Sequence, residues 1–129
     1  MVPRIPTGSE GTRSRLGLLA EEAVARYLAE RGFDIVARNL RLGRLELDVV
    51  ARKDDLIAVV EVRFRGPTAW TTGFGSIDAK KRLRVRRAGE RLWQRRFKND
   101  PSVTRLRVDA ASVTLGDGDP LVEYAEAAF

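Results

Sequence analysis

Two short runs carry the residues best placed to do chemistry. Leu45-Glu46-Leu47-Asp48-Val49 and Val59-Val60-Glu61-Val62-Arg63 alternate, or nearly alternate, polar with apolar positions. That period belongs to a β-strand and puts residues two apart on one face. Glu46 therefore lies beside Asp48, and Glu61 beside Arg63. The polar segment Lys53-Asp54-Asp55 between the runs predicts a turn, so the two strands are expected to pair as an antiparallel hairpin. In a favourable register Asp48 and Glu61 converge. Two carboxylates that close repel each other unless a cation lies between them or one is protonated. A hard divalent ion such as magnesium (or manganese) takes oxygen ligands, polarises a phosphoryl oxygen and acidifies a bound water. Those are the minimum requirements for hydrolysing a phosphodiester. An acidic, alternating strand face also serves simply as a solvated surface, and spacing alone leaves both readings open.

The missing residue types narrow the chemistry. The chain has no histidine and no cysteine. Imidazole or thiolate metal sites, Ser-His-Asp triads and disulfides are therefore excluded. What remains is carboxylate, lysine, arginine, hydroxyl and oxygen-ligated metal chemistry.

A second feature is electrostatic. The net charge is +6 and the pI about 10.5, values that favour an anionic partner, of which nucleic acid is the commonest. The basic residues concentrate in one stretch: Lys80, Lys81, Arg82, Arg84, Arg86, Arg87, Arg91, Arg95 and Arg96. Val85, Ala88, Gly89, Leu92 and Trp93 recur within it at helical spacing and form its apolar stripe. The helix thus has one face for the core and a basic face for phosphate, or for solvent. Trp70, Phe74 and Trp93 are candidates for stacking on bases. Trp93 fits the apolar stripe and is better placed in the core.

The elements that must position these residues follow from the rest of the chain. Residues 1–13 hold Pro3, Pro6, Gly8 and Gly11 without apolar periodicity, and read as a flexible lead-in to a single domain over 14–129. That lead-in lacks the apolar core of a secretory signal, and no run is long enough to span a membrane, so the cytoplasm is the expected compartment. Leu16, Leu19, Ala20, Ala23, Val24, Tyr27 and Leu28 predict a helix, capped by Ser14 and stopped at Gly32. Phe33–Ala37 predicts a short strand and Asn39–Gly43 a turn. Beyond the acidic hairpin come a loop over Gly66–Gly75, the basic helix from about Ile77, a strand over Thr104–Leu115, a turn at 116–120 and a last strand at Leu121–Tyr124. The expected architecture is α/β, a mixed central sheet flanked by helices.

Several segments, in order, resemble the bacterial YraN family, whose members are similar to small Holliday-junction resolvases and share the restriction-endonuclease-like fold with its PD-(D/E)XK pattern. They are Gly17-Leu-Leu-Ala-Glu21, Gly32-Phe33 leading to Ala37-Arg38-Asn39, Leu45–Val50, Val59–Arg65, Lys81, Arg107-Val108-Asp109 and Ala128-Phe129. The resemblance covers about residues 15–129. It implies Asp48 as the central metal ligand, Glu61 as the second with the Val62 carbonyl helping, and Glu21 as a carboxylate brought towards the metal. Glu46 becomes a structural residue or a support behind the ligands. Arg63 stands where the motif has lysine. Arginine stays protonated and cannot act as a base, although it binds phosphate in a forked geometry. The implied function is a magnesium-dependent nuclease acting on DNA, of resolvase or repair type. The alternatives are a nucleic-acid-binding domain with the same fold and little catalysis, and a protein-interaction module using the basic helix. Resolvase-like proteins pair on two-fold junctions, which makes a homodimer the expected assembly.

Overall fold

The computed structural model describes residues 15–65 and 79–129. The expected Ser14 cap, the lead-in, the 66–75 loop, Trp70, Phe74 and the helix start near Ile77 lie outside the described residues.

The first helix, α1 (Arg15–Glu30), buries Ala20, Val24 and Leu28. It ends as the sequence predicts. Gly32 adopts φ +89°, and Phe33 N–H returns to the Leu28 carbonyl at 3.0 Å, closing the helix with a left-handed cap.

Three strands follow as a meander: β1 (Asp34–Leu42), β2 (Leu45–Lys53) and β3 (Leu56–Arg65), each antiparallel to the next. Gly43, at φ +67°, opens the two-residue turn from β1 to β2, and Asp54, at φ +54°, opens the turn from β2 to β3. Asn39 to Gly43 is not the turn that its composition predicts, because β1 runs on to Leu42 with ladder pairs on both sides of Asn39. Asn39 takes φ +53° within the strand, and that local reversal absorbs the turn signal.

After β3 the basic helix α2 (Ala79–Leu92) continues into a π-helical turn at Trp93–Phe97. It crosses to β4 (Arg105–Thr114), which pairs parallel with β3 from Leu56↔Arg105 to Arg65↔Thr114. A parallel neighbour requires such a crossover, and a helix supplies it. β5 (Leu121–Ala125) closes the sheet antiparallel to β4, giving the order β1-β2-β3-β4-β5.

The helices lie on opposite faces. Val49, Ala51, Ala58, Val60, Ala111 and Val113 pack with α1, whereas Val50, Ile57 and Val59 pack with Ala88, Leu92 and Phe97 on the α2 side. Strand neighbours thus alternate between two cores. β3, the central strand, is covered on both sides, which is why Ile57-Ala58-Val59-Val60 is uninterrupted apolar sequence.

Candidate active site at the β2–β3 splay

The ladder between β2 and β3 runs from Lys53↔Leu56 up to Val49↔Val60 and stops there. Asp48 and Glu61 are the next residue on each strand. In place of a backbone acceptor, Asp48 offers its side chain: Oδ2 accepts the Val62 N–H at 2.8 Å. The motif draws attention to the Val62 carbonyl; the bond seen here is made by its amide, which orients Asp48.

Both carboxylates line a cleft of about 210 Å³, together with Arg44, Glu46, Lys81 and Arg84, between apolar walls from Leu45 and Val85. Asp48 is 9% exposed and Glu61 5%. Those values decide against a merely solvated strand face, since carboxylates so far removed from water need partners. Glu61 has one: Lys81 Nζ, from the first turn of α2, lies 2.6 Å from its Oε1. Glu46 is more open and sits 3.9 Å from Arg41 across the hairpin.

The pleat reverses beside this cleft. Arg38 and Leu40 would share a face in a regular strand. Instead Arg38 reaches Glu22 of α1 at 2.7 Å, and Leu40 packs in the α2-side core with its ladder partner Leu47. Between these pairs, Asn39 and Asp48 occupy facing positions, and the left-handed Asn39 is where the face changes.

The chain has clear relatives among known proteins. A family model described as "Uncharacterised protein family UPF0102" matches residues 20–113. A UPF0102 protein of Sorangium cellulosum is 52% identical, with 98% of this chain and 92% of that protein aligned. One from Anaeromyxobacter dehalogenans is 37% identical over 95% of this chain and 90% of its own, and one from Nocardia farcinica 35% over 92% of each. The chain belongs to the UPF0102 family. The matched span includes Glu21, Asp48, Glu61, Lys81 and Asp109.

Two further residues assigned to the site by motif, Glu21 and Arg63, lie on α1 and β3. Glu21 is a buried carboxylate on α1. Arg63 is half-buried on β3. Among the described residues no three acidic side chains gather closely enough to hold an ion by themselves. Asp48 and Glu61 are the two buried carboxylates that line the cleft, with the more open Glu46 beside them. Magnesium suits such a set because it keeps several waters and is bound by one or two carboxylates plus substrate phosphate. The Lys81 ammonium neutralises Glu61 in the cleft as it stands.

The UPF0102 helix α2 behaves as its pattern requires. Val85, Ala88, Gly89 and Leu92 are buried, while Lys80, Arg82, Arg84, Arg86 and Arg87 are exposed. Lys81 and Arg84 also line the cleft, so the basic face runs directly into it. Arg91 differs: its Nη1 donates to the Leu42 carbonyl at 3.1 Å and lies 3.0 Å from where a side chain on Gly43 would begin. It braces the β1–β2 turn. Trp93 packs against the α2-side core, as its place in the apolar stripe suggests.

Asp109 carries an arrangement that local sequence pattern does not reveal. It is fully buried on β4 and accepts from Arg107 Nε and Nη2 at 2.8 and 3.0 Å, from the Tyr124 hydroxyl at 2.6 Å and from Ala127 N–H at 2.8 Å. The bidentate carboxylate holds the Arg107 guanidinium above its ordinary pKa. Burial, then the hydrogen bond to Asp109, push the Tyr124 phenol far above its usual range. This network ties residues after β5 to β4, where Ala128 N–H also meets the Val108 carbonyl at 3.0 Å. Its sequence trace was only Arg107-Val108-Asp109.

Proposed function

We propose that this UPF0102 protein is a magnesium-dependent nuclease acting on DNA, of the resolvase or repair type, with a restriction-endonuclease-like fold. The observation that carries the reading is the convergence of Asp48 and Glu61 in one cleft that opens onto the basic face of α2. The order helix, three-stranded meander, crossover helix, parallel strand supports the fold assignment.

The chemistry follows from the residues. Asp48 and Glu61 would hold the ion, Asp48 oriented by the Val62 amide. A bound magnesium ion would supply Lewis-acid character and neutralise charge at the phosphate. Arg82, Arg84, Arg86 and Arg87 would position the backbone through phosphate contacts that carry no sequence information. In hydrolysis a water oxygen bonds to phosphorus and the P–O ester bond breaks. One water proton passes to solvent, and the leaving oxygen takes up a proton to become a hydroxyl. The products are a phosphate monoester and a free hydroxyl end.

A second reading, a DNA-binding domain with little catalysis, is favoured by one feature: arginine stands at 63, where the motif has lysine. The two readings part in a cleavage assay on branched, single-stranded and duplex DNA with magnesium and with EDTA. The nuclease reading expects magnesium-dependent products from at least one substrate; intact DNA throughout, with binding retained, favours the second.

A further inference from the structure

We propose that Lys81 is the catalytic lysine of this cleft, supplied by α2 rather than by the strand position held by Arg63. The inference rests on the nuclease reading and names a residue that the reading leaves unassigned.

Three observations point to it. Lys81 lines the cleft with Asp48 and Glu61. Its ammonium sits 2.6 Å from Glu61 Oε1, on the carboxylate that would meet the ion. Its side chain is 30% exposed whereas that of Glu61 is 6%, so the lysine faces the open side of the cleft, where a phosphate would enter.

A purely structural ion pair explains these facts less well. The helix is already anchored by buried Val85, Ala88 and Leu92 and by the Arg91 bond to Leu42. A pair with one largely desolvated member gains little net stability, since desolvation offsets attraction. A compact ammonium on a flexible four-carbon stem is, by contrast, suited to moving between anionic partners within one cleft. Were Glu61 to hold a divalent ion, the Lys81 ammonium would be free to turn to a non-bridging oxygen of the phosphate. There it would stabilise the charge that develops as the water oxygen bonds to phosphorus and the ester oxygen leaves. Arg63, a planar guanidinium that stays protonated, keeps the forked geometry for phosphate without that mobility.

The test compares Lys81→Gln, Lys81→Arg and Arg63→Gln with the parent chain. It measures kcat and KM on a cleavable DNA, Mn²⁺ affinity by calorimetry, and thermal stability. In K81Q, kcat is expected to fall by about 10²-fold or more, the size of a positioned charged or acid–base group. KM is expected to stay near the parent's. Mn²⁺ affinity is expected to hold or rise, because a competing cation is gone. K81R retains the charge and the ion pair and so folds in any case; its kcat is expected between those of K81Q and the parent. R63Q is expected to keep kcat and to weaken KM. Parent-like kcat in both Lys81 variants overturns the inference. So does a loss of Mn²⁺ affinity in K81Q in step with its kcat, which would make Lys81 a prop for Glu61. Absence of cleavage by the parent chain overturns the nuclease reading itself, and the inference with it.

Discussion

Lys81 and Glu61 meet across the gap between α2 and β3, with Nζ 2.6 Å from Oε1. The pair marks a cation position on a carboxylate only 5% exposed. It also sets apart two properties that one substitution can separate. Glu61→Gln keeps the shape and a hydrogen-bond acceptor but removes the charge. The expected result is a weakening of Mn²⁺ binding by at least about tenfold, because a hard ion prefers carboxylate oxygen. The melting temperature should barely move, since Lys81 is partly solvated and keeps an acceptor. Calorimetry and a thermal melt check the two halves.

The basic face of α2 should govern DNA affinity without governing sequence preference. Replacing Arg82, Arg86 and Arg87 together by Gln is expected to weaken binding to unrelated duplexes alike. The slope of log affinity against log salt should flatten by roughly 0.9 for each phosphate that the variant no longer neutralises. Arg91→Gln is expected to act differently, lowering stability because the bond to Leu42 is removed. Gel shifts over a salt series, beside thermal melts, distinguish the two.

Tyr124 should make stability fall in alkali. Its folded pKa is raised, chiefly by burial and then by donation to Asp109. The unfolded phenol titrates at about 10. The stabilisation is thus fully present below about pH 10 and declines as pH rises beyond it, where the unfolded chain releases the proton first. Tyr124→Phe is expected to cost about 1–3 kcal/mol at neutral pH, the scale for a buried acceptor deprived of its donor. The gap between parent and variant should narrow above pH 10. Denaturant melts at several pH values measure it.

Asn39 should tolerate glycine and reject β-branched residues. It holds φ +53° where the pleat of β1 reverses opposite Asp48. Asn39→Val is expected to destabilise by roughly 1–2 kcal/mol or more, the cost of a left-handed conformation for an ordinary side chain. Asn39→Gly should come close to the parent in a thermal melt.

Much of this architecture is legible in local pattern. The α1 stripe, its Gly32 stop, the acidic hairpin and the two faces of α2 all arise from residues near one another in sequence, where periodicity and turn chemistry act. The register that brings Asp48 and Glu61 to the same end of the hairpin follows too, because the polar turn at 53–55 sets Val49 against Val60. What escapes local pattern depends on distant partners. A buried left-handed asparagine looks like a turn residue until β2 is known to pair on both sides of it. Lys81 is one basic residue in a basic helix until the crossover lays it on Glu61. Asp109 is an ordinary strand acid until Arg107, Tyr124 and Ala127 close around it.

The measurement that bears most directly on the Asp48–Glu61 cleft is cleavage of a branched DNA in magnesium by the parent chain and by Asp48→Asn, prepared identically. The substitution keeps an acceptor for the Val62 amide and removes the metal-binding charge. Products from the parent, none from D48N, and equal gel-shift affinity for both would establish the cleft as the seat of the chemistry. Equal cleavage by the two proteins, or no magnesium-dependent cleavage by the parent, would contradict it.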